Sequence, residues 1–296
     1  MLPIPLGIRA TLHLEAAHSV LRIQSHTLSG PHQASIPPGV QSHHPLRYVD
    51  AVVTHARKEG WPIPAGLLQL ESDLPMGRGF SSSAALCVVT ARILAQNAGL
   101  DRTPEDIADL AYRAEREGVG VACGRLDPLA CAYAQPLLLR WPESIRPIPV
   151  ERTVPLVAAA FPTPRNAPGI LRALHALHRP HGANEAERAV CETIAIWGQL
   201  AEAGADLLRR GQATELGRLL DQAQQLYEER LIPHVPALHA PGLVDACRRL
   251  KQAGALGAKF SGAGGDGSVI AIAQDPPHAE RLATTLRAQG LLAWSL

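Results

Sequence analysis

The chain has 296 residues, of which 46% are apolar and 19% charged, enough to build real cores; this excludes a disordered, collagen-like or polyelectrolyte protein. Lys plus Arg number 28 and Asp plus Glu 27, a net charge of +1, and aromatics make up 4%, so neither nucleic acid nor an anionic membrane is expected as a partner. At about 150 residues per domain, the length fits two domains or one large one.

At the start, MLPIPLGIRATLHLEAA carries no basic stretch followed by an apolar one, and no run approaches ~18 apolar residues, so neither a signal peptide nor a transmembrane helix is expected. Ile8 to Leu14 (IRATLHL) and Val20 to Gln24 (VLRIQ) alternate or run apolar, as half-buried strands do. Residues 25–44 are rich in Ser, Gly, Pro and His and read as a loop. Tyr48 to Lys58 has apolar residues at helical spacing and stops at Gly60. Leu67 to Glu71 is a strand candidate. From Ser83 to Ala98 only Arg92 is charged, the pattern of a buried helix. Thr103, Pro104, Glu105 and Asp106 open another: a Thr N-cap, Pro in the first turn and acids at the positive end of the dipole. It is expected to reach about Glu117 and stop at Gly118.

Leu137 to Trp141 and Val154 to Phe161 read as strands, and the turn-rich PTPRNAP after them places a domain boundary near residue 150, giving domains 1–150 and 151–296. The second half is mostly helical, at about 168–178, 184–210, 213–229 and 241–253. It closes with a strand (SVIAIA), a helix (HAERLATTLRAQ) and a short strand (LLAWSL). The five cysteines include no C-x-x-C pair and sit mostly among apolar residues, which reads as reduced core thiols in a cytoplasmic protein.

Three segments carry chemistry. In Pro75-Met76-Gly77-Arg78-Gly79-Phe80-Ser81-Ser82-Ser83-Ala84, glycines permit a tight turn and a helix then begins. Unpaired N–H groups at a helix N-terminus suit a phosphate, and serine hydroxyls can bind Mg²⁺. No Lys-Ser or Lys-Thr closes the segment, so it is not a Walker A loop. The second segment, Gly257 to Ser268, with Lys259 and the glycine-rich Gly262-Ala263-Gly264-Gly265-Asp266-Gly267, reads as a glycine-rich hairpin turn or as backbone that approaches a ligand closely. In the third, Glu115 ends a helix and Asp127 stands in a tight turn; two such acids could share a metal or a proton.

Taken together, these segments resemble the GHMP kinase superfamily. DLPMGRGFSSSAAL resembles its ATP phosphate loop and GAKFSGAGGDGSVIAI its third motif. RAEREGVGVACGRLDPLACAYA is similar to the galactokinase stretch with the magnesium Glu and the catalytic Asp, whereas the third motif and the helix before it look more like mevalonate kinase. Asp127-Pro128 replaces the Asp-Gln step usual in galactokinases. LPIPLGIRATLHLE resembles the segment just after the family's first motif, so that motif is expected to be missing from this chain. The resemblance implies an α+β, two-domain GHMP kinase fold with the active site in the interdomain cleft. It further implies a monomer or homodimer that uses ATP and Mg²⁺ to phosphorylate a small-molecule hydroxyl of a sugar, with mevalonate as the alternative acceptor. The other class open is a non-catalytic homologue that binds sugar or nucleotide.

The resemblance also assigns residues. Asp127 is the expected catalytic base. Ser83 and Glu115 are the expected metal ligands. Pro75, Gly77, Arg78, Gly79, Ser81, Ser82, Ser83 and Ala84, with Gly262, Ala263, Gly264 and Gly265, are the expected nucleotide-binding residues. Asp266 stands where the family usually has Gly; because a carboxylate repels phosphate, it is expected to point away or to meet the metal.

Overall fold

The computed structural model describes residues 7–15, 20–27, 30–36, 46–74, 77–140, 144–163, 167–179 and 182–296. They form two units, Met1–Met76 with Ser81–Gln135, and Gly77–Phe80 with Pro136–Leu296. Pro75, expected at the phosphate loop, lies outside the described residues.

Alternating apolar residues build the sheet of the first unit. In β2 (Leu21–Thr27), Leu21 and Ile23 are buried, and in β4 (Gly66–Ser72), Leu68 and Leu70. β2 and β4 run parallel, with Ile23 opposite Leu68. β1 (Ile8–Leu14) is antiparallel to β4, and β3 (Gly30–Ile36) to β2, giving the order β1-β4-β2-β3. α1 (Arg47–Lys58) buries Val49, Val52, Val53 and Ala56, one stripe at helical spacing. α2 (Ser82–Asn97) packs against α1, α3 (Pro104–Arg113) and α4 (Leu126–Tyr133), and buries Ala84, Cys87, Val88, Thr90, Ala91, Leu94 and Ala95. α3 opens as its sequence requires. The Thr103 hydroxyl accepts the Asp106 N–H at 3.1 Å, and the Asp106 carboxylate accepts the Thr103 N–H at 3.0 Å.

The second unit is built on the antiparallel sheet β10-β7-β9-β8, formed by β7 (Leu156–Ala160), β8 (Gly257–Phe260), β9 (Ser268–Ile272) and β10 (Leu292–Ser295). A short ladder of β5 (Leu137–Arg140) and β6 (Ser144–Pro147) stands apart from that sheet. Four helices come after β7: α5 (Ala167–Leu177), α6 (Glu185–Arg209), α7 (Ala213–Leu226) and α8 (Pro241–Gln252). α9 (Pro276–Arg287) precedes β10. The core joins Val157 and Ala159 of β7 to Leu243, Ala246 and Leu250 of α8 and to Leu282 and Leu286 of α9.

β8 is an edge strand whose open N–H groups are covered by α7. Asp221 accepts from Ala258 N–H at 3.0 Å and Gln224 from Phe260 N–H at 2.9 Å. That contact requires glycine twice, since a Cβ on Gly257 would fall 2.0 Å from the Gly217 carbonyl oxygen.

Four expectations change. Residues 25–44 read as loop, but Gly30–Ile36 is strand β3; its polar sequence has no apolar alternation to betray it, and Pro31 is tolerated because the strand lies at the sheet edge. Asp127 lies in the first turn of α4 instead of a tight turn, with Pro128 beside it in that turn, where its missing N–H costs nothing. Gly257–Phe260 is a strand rather than part of a glycine turn. The helix expected to run to about Glu117 becomes a π-helical turn over Ala114–Val119, and α7 likewise passes into one over Tyr227–Leu231.

Candidate active site

Three elements of the first unit converge. Ser83 lies in the first turn of α2, Glu115 in the π-helical turn and Asp127 in the first turn of α4. Packing of α2 against α4 and the π-helical turn brings the Ser83 hydroxyl into hydrogen-bonding contact with the Glu115 carboxyl, with Asp127 near enough to act on Glu115 electrostatically. Glu115 is 3% exposed. Burial pushes its carboxyl above the ordinary range, the Ser83 hydroxyl draws it back, and the Asp127 charge pushes it up. A buried carboxyl beside a second carboxylate resists ionisation until a cation joins them.

Three thiols surround these acids. Burial is the largest cause in pushing Cys87 well up, Cys123 to about 11 and Cys131 to about 12, with the charges of Glu115 and, for the latter two, Asp127 adding to it. They stay neutral, so the oxygen atoms are the donors on offer. Two carboxylates and a hydroxyl suit a hard cation such as Mg²⁺, which completes its shell with water and phosphate oxygens. Among the described residues, no three His, Cys, Asp or Glu side chains form a metal-holding group, so an all-protein cage is not the arrangement here.

The π-helical turn is anchored on α1. The His55 ring bonds the Ala51 carbonyl through Nδ1 at 2.9 Å and lies 3.6 Å from the Glu117 carboxylate through Nε2.

The loop before α2 bends through positive φ at Gly77, Gly79 and Ser81, at 71°, 90° and 53°. Serine rarely adopts that conformation, and such strain concentrates at functional loops. Ser81 is the N-cap residue, yet no side chain caps α2, which leaves the helix end to other acceptors. Arg78 Nε is buried with no hydrogen-bond partner among the described residues. An uncapped helix start and an unpaired guanidinium donor in one glycine turn fit the phosphates of a nucleotide. Ala84, by contrast, is in the core. Phe80 meets Trp294 edge-on, ring centroids 5.3 Å apart.

In the second unit, Gly262 is exposed, Ala263 half-buried, and Gly264 and Gly265 buried. The Gly265 N–H donates to the Tyr227 hydroxyl at 3.0 Å, and Asp266 Oδ1 accepts from the Leu243 N–H at 2.8 Å. Asp266 therefore points away, towards the start of α8. No motif singles out Tyr227, whose neighbours, YEER, read as ordinary helix surface. A cleft of about 610 Å³ between α7 and α8 contains none of the sequence-predicted site residues. Its polar groups pair with one another: Asp221 with Lys251, Gln224 with Glu228 and Asp245 with Arg248.

Comparison with known proteins points the same way. The family model described as GHMP kinases N terminal domain matches residues 47–135, and GHMP kinases C terminal matches 205–291. A galactokinase of Mycobacterium bovis is 30% identical over 289 residues, covering 83% of this chain and 74% of that protein. A mevalonate kinase of Thermococcus sibiricus is 26% identical over 250 residues, covering 83% and 70%. A galactokinase of Thermosipho africanus is 35% identical, but over only 88 residues, 30% of this chain and 25% of that protein. In fold, the chain is similar to Lactococcus lactis galactokinase complexed with galactose (TM-score 0.76, 17% identity, covering 99% of this chain and 85% of that one). It is equally similar to L. major mevalonate kinase in complex with R-mevalonate (TM-score 0.77, 17% identity, covering 99% and 86%). Among the described residues, no helix is long and apolar enough to cross a membrane.

Proposed function

As this chain belongs to the GHMP kinase family, we propose that it transfers the γ-phosphate of ATP to a hydroxyl group of a small sugar. The observation that carries the reading is the meeting of Ser83, Glu115 and Asp127, three side chains far apart in sequence, around one buried carboxyl. The 30% identity to a galactokinase over most of the chain favours a sugar over mevalonate as acceptor.

Phosphoryl transfer is mostly a matter of positioning and charge neutralisation. In this reading Ser83 and Glu115 hold Mg²⁺, and that ion, when bound, neutralises charge on the phosphates. The N–H groups at the uncapped start of α2, with Gly77 and Gly79, orient the phosphates, and Arg78 gives its unpaired Nε–H to one of them. Gly262, Ala263, Gly264 and Gly265 supply a second stretch of backbone for the nucleotide. Asp127 accepts the proton of the acceptor hydroxyl as its oxygen attacks.

The test is to incubate the purified chain with ATP and Mg²⁺ and galactose, other sugars or mevalonate, reading ADP release and the phosphorylated product by mass spectrometry. Sugar phosphate is expected, lost by about 10²–10⁴-fold in Asp127→Asn with nucleotide binding kept. Product from mevalonate alone overturns the acceptor. No product from any acceptor, with ATP still bound, favours a non-catalytic binder.

A further inference from the structure

Tyr227 lies outside every motif of the proposed chemistry, and Asp266 stands in the third motif where the resemblance leads one to expect Gly, yet both grip the glycine turn. Tyr227 is fully buried, and its ring stacks on Phe260 with centroids 4.5 Å apart. Its hydroxyl accepts the Gly265 N–H at 3.0 Å and donates to the Leu238 carbonyl at 2.8 Å. The next residue of the turn, Asp266, accepts the Leu243 N–H at 2.8 Å, doing for α8 what its own N-cap, Ala240, has no side chain to do. Two adjacent turn residues thus hold both ends of the segment Leu238–Leu243, one through Tyr227 and one directly. The hydrogen bonds close a circuit through the π-helical turn after α7, the glycine turn and the start of α8.

The fit around this circuit is close. A Cβ on Gly264 would fall 2.8 Å from the Tyr227 ring, one on Gly265 2.7 Å from Ile170, and one on Gly242 3.3 Å from Asp266 Oδ1. Within the turn, the Gly267 N–H donates to the Gly265 carbonyl at 2.7 Å, and the Ser261 N–H to the Ser268 carbonyl at 2.9 Å. A glycine-rich turn has the greatest backbone freedom to lose on ordering. This one is tied to its surroundings by the Tyr227 hydroxyl from outside and by its own Asp266 carboxylate, which accepts from α8.

We propose that Tyr227 and Asp266 are positioning residues that hold the turn Ser261–Gly267 in its nucleotide-binding shape before the nucleotide arrives. The inference rests on the kinase reading for its effect on catalysis, and on the hydrogen bonds alone for its effect on the turn. If only a fraction of molecules carries the competent turn, apparent nucleotide affinity falls by that fraction. The effect therefore belongs in KM for ATP. A variant that merely unfolds part of the sample lowers kcat instead.

The test uses the full chain with Tyr227→Phe, which keeps the stacked ring, and with Asp266→Ala and Asp266→Asn. Hydrogen exchange is followed in the peptide covering 261–267 and in the strands β8 and β9. Expected in Tyr227→Phe and Asp266→Ala is about tenfold faster exchange confined to the turn, with KM for ATP about tenfold higher and kcat within twofold. Asp266→Asn keeps an acceptor oxygen for Leu243 and is expected to restore slow exchange and low KM. Unchanged exchange in Tyr227→Phe overturns the proposal, as does faster exchange with KM unaltered. Loss of Mg²⁺ dependence in Asp266→Asn also overturns it, because the carboxylate is then a metal ligand. Should the wild type phosphorylate nothing, the kinase reading fails, and the exchange data alone decide whether these two groups hold the turn.

Discussion

Lys259 places a half-buried amine beside the aromatic ring of Phe260, in the strand that leads into the glycine turn. It lies on β8, where its ammonium donates to the Phe260 carbonyl at 2.5 Å and sits 4.0 Å from the centre of the Phe260 ring. Burial pushes the amine down to about 8 from the ordinary 10.5, and the neighbouring Cys247 opposes this only weakly. At 1.36 kcal/mol per pH unit, that gap corresponds to about 3 kcal/mol spent on burying the charge. Lys259→Met removes the charge at similar length. It also removes the hydrogen bond and the contact with the ring, each about 1 kcal/mol, so a net gain of about 1–2 kcal/mol is expected at pH 7. The sign reverses the familiar salt-bridge case. Below pH 8 the amine is charged in both states and the full burial cost is present. Between pH 8 and 10.5 the folded chain has released its proton and the unfolded chain has not, so stability rises with pH. Guanidinium unfolding of wild type and variant at pH 7, 8, 9 and 10 measures the difference, in which titration of the other groups largely cancels. The variant's advantage should be greatest at pH 7, vanish by about pH 9 and turn into a deficit by about pH 10. A variant less stable than wild type at pH 7, or an advantage that does not depend on pH, refutes the reasoning.

Two further outcomes are expected from the geometry. Ser83→Ala and Glu115→Gln each remove an oxygen donor and should weaken Mg²⁺-dependent nucleotide binding about tenfold or more in calorimetric titrations. Because the Glu115 carboxyl titrates above the ordinary range, wild-type binding should weaken as pH falls through that raised value, and Glu115→Gln should not share this dependence; unchanged Mg²⁺ dependence in both variants places the metal elsewhere. Gly257→Ala sets a methyl 2.0 Å from the Gly217 carbonyl oxygen, backbone against side chain with no rotamer to escape through. It should cost about 3 kcal/mol and lower the melting temperature by roughly 6–12 °C; wild-type melting would mean that α7 and β8 do not touch there.

The features legible in the sequence had local physical causes. The Thr103 N-cap, the helical spacing of apolar residues in α1 and the strand at β4 depend on neighbours within a turn or a strand, and each stands where expected. β3 was not legible, because an edge strand of polar residues owes its form to β2 rather than to its own pattern. Tyr227 was not legible for a related reason: its partners, Gly265 and Leu238, lie 38 and 11 residues away. The acids could be paired from the sequence, but their separate roles come only through the family resemblance, since Glu115 and Asp127 approach across the junction of α3, the π-helical turn and α4.

The π-helical turn explains why Glu115 can be buried at all. An α-helix continued from α3 would advance 100° per residue, whereas the wider turn over Ala114–Val119 holds an extra residue and re-aims the chain beyond it. Such a turn is less favourable than α-helix unless something outside holds it. Here α1 does so, through the His55 ring beside Glu117 and through Gly118, where a Cβ would come within 2.7 Å of the Ala51 Cβ. The cost of the irregular turn and the cost of an inward-facing carboxyl therefore fall on the same six residues. In ordinary folding neither would persist without compensation. Their coincidence beside Ser83 and Asp127 supports the proposed cation site: a carboxyl kept from water and made easy to ionise only when positive charge arrives.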